Sequence, residues 1–527
     1  MVREINIDSI RALERQIEEH ERAIIRLKRT RNSLLNVSTL LPPEILGNIF
    51  RWNVIPDGNF GGLSKGSYNF LLVCHHWFAV ASGAPGLWCF WGTSIEDWRR
   101  RYARCRTGPV DLVLEKYQGP ELDDELRNAL QDCAARDAIQ RVHFKGFRRA
   151  ESLNSFISSI ITEGEETRLN SMESFIVQNS RGSDTVDVSS FFSRYHLPKL
   201  QCLRLVGFRI SSWDLLKSRT TALTILELTA NGSSPIPTLS QLLSILSSNP
   251  LLQDFALSYG LVDGERSFPL VPLRHLKKLR LSSDFRHAFA LINQLELPDK
   301  MENLNLRLRE CSPSDLSQTL GPYLRDRIQH RDKFPGRGLG LLATHSRSTF
   351  RLCTGDAHKC DKFSGMAWFM AINVIMKGIL GEEEAERIGF DLITTIPREQ
   401  VVNLQTTLPI LRSEELCVEM CDLTYLRLHK VDLSTWFMEP DIPGSHAYKE
   451  LLPSLDRIVI AKPSLSEDWS PFTDFLSRRA AVGNKISFLR LGWHPPMDGD
   501  VVDSIEDTVK VFEDEGDDDY ELYDHSD

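Results

Sequence analysis

Ten times along these 527 residues the sequence returns to one pattern, apolar-x-x-apolar-x-apolar, and this repetition constrains the fold more than any other feature. It occurs at Ile139/Val142/Phe144, Met172/Phe175/Val177, Leu200/Leu203/Leu205, Leu223/Leu226/Leu228, Leu252/Phe255/Leu257, Leu276/Leu279/Leu281 and Met301/Leu304/Leu306. It returns at Leu423/Leu426/Leu428, Leu455/Ile458/Ile460 and Ile486/Leu489/Leu491. The last two apolar positions of each triplet are two residues apart, which puts them on one face of a short strand. In the first set the triplets begin 33, 28, 23, 29, 24 and 25 residues apart, room for one strand and one helix each. Helical stretches fit the gaps, such as Leu239 to Ser248, stopped by Asn249-Pro250, and Trp213 to Lys217. One strand and one helix cannot close a core alone, so the pattern predicts an α/β stack in which neighbours bury a continuous core, a solenoid over about 135–510. Its repeats are irregular, and no consistent Asn follows the last apolar position. Within 310–400, Phe350/Leu352, Phe369 to Met376 and Val401/Val402/Leu404 read as further strands, and Arg325 to Gly340 as a charged excursion.

Side chains between the apolar positions project from the strands onto the open face. They include Arg204, Lys278, Arg280, Arg307, Arg427 and Arg490, set against Glu227 and Asp254. The expectation is a mildly basic surface that binds an acidic or phosphorylated segment of a client protein, or the chain's own acidic end.

Upstream lies a different kind of segment. In Leu41-Pro42-Pro43-Glu44-Ile45-Leu46, Pro43 suits the first position of a helix and Glu44 its positively polarised first turn. Ile45, Leu46, Ile49 and Phe50 share one face. Pro56 and Gly58, Gly61, Gly62 and Gly66 end that helix, and a second apolar segment runs from Phe70 to Ala81 before Gly83 and Pro85. Still earlier, Ile10, Leu13, Ile17, His20, Ile24, Leu27, Arg31 and Leu34 follow a 3,4 spacing, the seam of a helix from about Asp8 to Asn36. Such a seam pairs with a second copy through residues 10–34 or folds back on the same chain.

The order Leu41, Pro42, Glu44, Ile45, Leu46, Ile49, Phe50, then Leu71 to Cys74 with Trp77, Val80 and Ala81, then Pro85, Leu87 and Trp88, resembles the F-box-like motif found in large families of fungal F-box and leucine-rich-repeat proteins. The resemblance covers about fifty residues, with the repeats extending it more weakly. A loop from Asp57 to Asn69 separates the helices, and His76 stands where a basic residue often precedes the Trp. The resemblance implies an adaptor-docking element for the Skp-type subunit of a cullin-RING ubiquitin ligase. Its adaptor-binding residues would be Leu41, Pro42, Glu44, Ile45, Leu46, Ile49, Phe50, Val73, Cys74, Trp77, Leu87 and Trp88.

Composition sets the remaining bounds. The net charge is −10, but nine acidic residues lie within Glu513 to Asp527 and the rest is close to neutral, so no basic footprint for nucleic acid or a membrane surface is expected. The ten cysteines are scattered without a Cys-x-x-Cys pair and no secretory signal is read, which predicts reduced thiols in cytoplasm or nucleus. The longest apolar run, Met366 to Leu380, is interrupted by Asn373 and Lys377. Gly62-Leu63-Ser64-Lys65-Gly66 matches a nucleophile pattern but lacks the strand before and helix after that would expose the Ser. Cys353, His358 and Cys360 match no zinc spacing. Neither a metal, a cofactor nor a catalytic group is therefore expected.

The expected organisation is a coiled-coil-like helix (1–38), an all-α F-box-like domain (39–90), linker helices with a strand at Val110 to Leu114 (91–134), an irregular leucine-rich-repeat-like solenoid (135–510) and a disordered acidic tail (511–527). The linker includes an Arg-rich stretch, Glu96 to Arg106, and a helix at Leu122 to Arg136. The function implied is that of a non-enzymatic substrate receptor; a scaffold self-associating through the N-terminal helix is the alternative.

Overall fold

The computed structural model describes residues 7–35, 41–54, 69–91, 103–105, 108–115, 128–129, 131–132, 137–145, 169–178, 186–229, 237–258, 261, 269–298, 301–329, 339–345, 349–356, 368–376, 382–394, 396, 398–407, 419–428, 433, 437, 452–461, 468–492 and 497–514. The chain forms two compact α/β units, Met1–Pro235 and Ile236–Asp527.

The first unit begins with helices α1 (Ile7–Leu35), α2 (Pro43–Val54) and α3 (His75–Ser82). Its strands are β1 (Phe90–Trp91), β2 (Val110–Glu115), β3 (Ile139–Lys145), β4 (Ser174–Gln178), β5 (Val186–Asp187), β6 (Cys202–Val206), β7 (Phe208–Arg209) and β8 (Ile225–Thr229). β1, β2, β3, β4, β6 and β8 pair in that order, all parallel, and β5 pairs with β7 beside them. Parallel neighbours require a crossover between strands, and short helices at Ser189–Arg194 and Asp214–Arg219 supply two of these.

The second unit contains β9 (Asp254–Ser258), β10 (Val271–Pro272), β11 (Lys278–Asp284), β12 (Leu295–Glu296), β13 (Asn303–Cys311), β14 (Leu339–His345), β15 (Thr349–Asp356), β16 (Trp368–Met376), β17 (Val401–Thr406), β18 (Tyr425–Leu428), β19 (Arg457–Ile460), β20 (Phe488–Leu491) and β21 (Phe512–Asp514). β9, β11 and β13 run parallel in chain order, as do β17 to β21. Between these runs the order inverts: β16 lies parallel beside β13, β15 follows antiparallel to both β16 and β14, and β14 pairs parallel with β17. A simple stack in chain order does not allow this block. β14, β15 and β16 therefore form an antiparallel meander inserted in reverse order; β15, β16 and β17 fall where strands were expected, β14 was not expected, and the helix Glu382–Ile393 connects β16 to β17 past them.

All thirty apolar positions of the ten triplets are buried, and each triplet ends in one of the strands β3, β4, β6, β8, β9, β11, β13, β18, β19 and β20. A further buried position recurs three residues before the triplet: Leu169, Leu197, Asn249, Leu273, Met420 and Leu452 each accept a backbone hydrogen bond from the first apolar residue, at 3.0–3.2 Å. This tight turn aims the chain into the strand. The helix Leu239–Ser247 starts with a capping box between Thr238 and Gln241 and buries Leu242, Leu243, Ile245 and Leu246. Gly492 follows β20 against the Ala461 carbonyl, where no Cβ fits.

Two buried charges interrupt the apolar interior. Asp111 on β2 accepts both arms of Arg141, its register neighbour on β3, at 2.8 and 2.5 Å, and that carboxylate holds the guanidinium pKa above its usual value. Arg141→Ala leaves a buried carboxylate uncompensated and is expected to destabilise the first unit by about 3 kcal/mol, read from amide exchange in β2 and β3; a loss below about 1 kcal/mol would show that water reaches Asp111. In the second unit Arg479 is buried and donates to the carbonyls of Leu452 (3.0 Å) and Leu455 (2.8 Å), fixing the turn that carries Leu452 at φ 52°. Burial pushes its pKa down to about 10. Because the folded value lies below the unfolded one, this charge-burial cost is constant at neutral pH and is relieved only as pH rises above about 10.

Candidate docking surface

The helical module of residues 41–91 has its own small core. Leu46 and Phe50 of α2, Phe70 from the 3-10 turn Asn69–Leu72, Ala81 of α3, and Leu87, Trp88, Cys89 and Cys105 are buried together, with Leu41, Leu71, Trp77, Val80 and Ala84 packed at the edge. Phe50 stacks on Phe70 with ring centroids 4.5 Å apart, and Trp77 tilts against Phe50 at 5.0 Å. The Trp88 indole N–H donates to the Ala81 carbonyl at 2.8 Å, tying the chain after α3 to its last turn, and Arg104 lies 4.3 Å over the Trp88 ring. The apolar segment expected as one helix over Phe70 to Ala81 breaks at Cys74. Cys74 is extended and caps α3, its sulfur accepting from the Trp77 N–H at 3.5 Å. Cys89 and Cys105 sit Sγ to Sγ at 3.0 Å, the Cys89 thiol held protonated by its hydrogen bond to Cys105 and by burial, and the Cys105 pKa lowered by the same bond.

This packing separates the expected adaptor-binding residues into two groups. Leu46, Phe50, Leu87 and Trp88 face inward, into the module's own core, and set the spacing of the helices. Leu41, Cys74 and Trp77 are half-buried, while Pro42, Glu44, Ile45, Ile49 and Val73 are exposed. The sequence reading missed three more. Trp52, Leu72 and Phe78 are exposed at 81%, 85% and 45%. Ile45, Ile49 and Trp52 fall at i, i+4 and i+7, one stripe along α2, and Leu72, Val73 and Phe78 come from the turn and helix packed beside it. Continuing the helical spacing beyond Ile49 would have found Trp52.

The six expected client-binding residues divide between the two units. Arg204 lies 3.7 Å from Glu227 on the neighbouring strand of the first unit. In the second, Arg280 lies 3.3 Å from Asp254 and Arg490 lies 3.9 Å from Glu513. Arg204, Arg280 and Arg490 thus have their charges offset within the sheet by Glu227, Asp254 and Glu513. Lys278 and Arg307 are exposed and Arg427 half-buried, with no carboxylate partner among the described residues. Arg457, in register between Tyr425 and Phe488, stands 5.9 and 4.8 Å from those rings. Phe512–Asp514, assigned to the tail by composition, forms the last strand.

Ser64, His358 and Cys360 lie outside the described residues, as does most of the Arg-rich stretch and of the helix expected at Leu122 to Arg136. Cys353 is buried, and among the described residues no cluster of His, Cys, Asp and Glu has metal-binding proximity. A cavity of about 310 Å³ in the second unit is bounded by the helical stretch Pro313 to Arg325 and by Ile388, Asp391, Leu392 and Thr394; the Ser317 hydroxyl on its wall donates to the Pro313 and Ser314 carbonyls at 3.2 and 3.4 Å. No described helix is long and apolar enough to cross a membrane. Neither a protein-family model nor a curated protein matches the chain.

Proposed function

We propose that this chain is the substrate-recognition subunit of a Skp-cullin-F-box-type ubiquitin ligase. Its helical module docks the Skp-type adaptor, and the open faces of its strands hold a client. The observation that carries this reading is a module whose core is already closed yet which leaves Ile45, Ile49, Trp52, Leu72, Val73 and Phe78 in water. A set of large apolar side chains on one small module marks a protein-binding surface, and a few such anchors dominate interface energetics. The ten buried triplets support a leucine-rich-repeat-like architecture for the client-binding part, with the β14–β16 block as a departure from simple repetition. Lys278, Arg307 and Arg427 suit an acidic or phosphorylated client segment, and the Tyr425–Arg457–Phe488 ladder offers aromatic surface near Arg427. Ubiquitin transfer belongs to the associated proteins. Co-expression of the full chain with a Skp-type adaptor tests this reading: a stoichiometric complex on purification is expected, and a chain that purifies alone would remove the ligase assignment in favour of a scaffold.

A further inference from the structure

α1 is 29 residues long, and its described side chains from Ala12 to Leu34 are all exposed except Ala23, which is half-buried. Leu13, Ile17, Ile24, Leu27 and Leu34 thus form an apolar seam with no cover among the described residues. We propose that this seam is covered by α1 of a second copy of the chain, running antiparallel. The inference does not rest on the adaptor assignment.

Charge selects both the partner and the direction. Glu14, Glu18, Glu19 and Glu21 occupy the N-terminal half, and Arg22, Arg26, Lys28, Arg29 and Arg31 the C-terminal half. A parallel pair sets acid against acid and base against base. An antiparallel pair sets each half against its complement. The seam selects the register in the same way. Antiparallel layers bring Leu13 opposite Arg31, Ile17 opposite Leu27 and His20 opposite Ile24, each twice about the two-fold axis. Both polar seam residues then meet an apolar one, and the Arg31 stem covers Leu13 while its head reaches water. Parallel layers would stack His20 on its copy and Arg31 on its copy. Beside the antiparallel seam Glu14 faces Lys28 of the second copy; Glu21 meeting its own copy at the axis is the one opposing contact.

Antiparallel pairing also has a geometric consequence. Each chain leaves α1 at Leu35, so the two exits lie at opposite ends of the rod, about 40 Å apart from the rise per residue. Two copies of the rest of the chain are thereby held apart, and any surface they carry is presented twice.

The test uses the full chain. Light scattering at tens of micromolar is expected to give about twice the 60.1 kDa monomer mass. Ile17→Asp with Leu27→Asp changes residues exposed in the single chain and is expected to give monomers with unaltered circular dichroism. Glu14→Lys and Lys28→Glu each weaken the dimer by about tenfold, because each affects two symmetry-related contacts. Combined in one chain, they restore it. A monomeric parent, a dimer that survives the two Asp substitutions, or a failure of the combined charge reversal to restore affinity would each overturn the antiparallel pair.

Discussion

Trp88→Ala is expected to lower the stability of the first unit by about 4 kcal/mol, within the range for removing a large aromatic from a packed core. Trp88 is buried, its N–H satisfies the Ala81 carbonyl, and Arg104 lies over its ring. Truncation opens a cavity beside Leu46 and Phe50 and removes the hydrogen bond that ties the chain to the end of α3. In a core this small there is little else to collapse into the space. Amide exchange is the appropriate readout, since the chain holds two units and a single unfolding midpoint would mix them. Protection in α2 and α3 should fall by about a thousandfold. A loss below about 1 kcal/mol would mean that Trp88 is not a keystone of the module.

Ile45→Asp with Ile49→Asp should do the opposite. Both side chains stand in water, at 48% and 43% exposure, so charge there costs little in the free chain. In an adaptor complex each would bury an unpaired carboxylate at an apolar contact, and affinity should fall by at least about a thousandfold, two anchors each contributing about 2 kcal/mol or more. Titration calorimetry of the adaptor against parent and variant reads this directly. Equal affinities would move the contact off α2. Together with Trp88→Ala, this pair separates surface from scaffold: one variant loses fold and therefore binding, the other loses binding alone.

The contrast shows why the candidate docking residues were only half legible in the sequence. On one helix Ile45, Leu46, Ile49 and Phe50 look alike, all apolar and closely spaced. Burial divides them, sending Leu46 and Phe50 inward and leaving Ile45 and Ile49 outside. That division depends on where Phe70 and Trp77 arrive from a distant segment, which local periodicity does not specify. The ten strands were legible because a buried strand face repeats every second residue and a core cannot tolerate exceptions. The β14–β16 inversion was not, since β14 was not read as a strand and the patterns at Phe350/Leu352 and Phe369–Met376 do not reveal which neighbour each one joins. Pairing order depends on connections, and the connection from β13 to β14 passes over two strand positions. Nor did the charges on the open face reveal their pairing: Arg204 with Glu227, and Arg490 with Glu513, are cross-strand neighbours fixed by register.

Register also explains the coupling between the module and the sheet in the first unit. The Asp111 N–H donates to the Cys89 carbonyl at 2.8 Å, directly after Trp88, while its carboxylate grips Arg141 one strand further on. One residue thus joins the end of the helical module to β2 and β3. The apolar surface of α2 is thereby carried on a braced element, which lowers the ordering cost of docking.

The measurement that tests the central claim most directly is hydrogen exchange of the full chain with and without a Skp-type adaptor. Slowed exchange over Pro43–Val54 and residues 69–82, with β3 to β8 and β9 to β21 unchanged, is the predicted result. Protection confined to the strands, or no protection over α2 and α3, would contradict it.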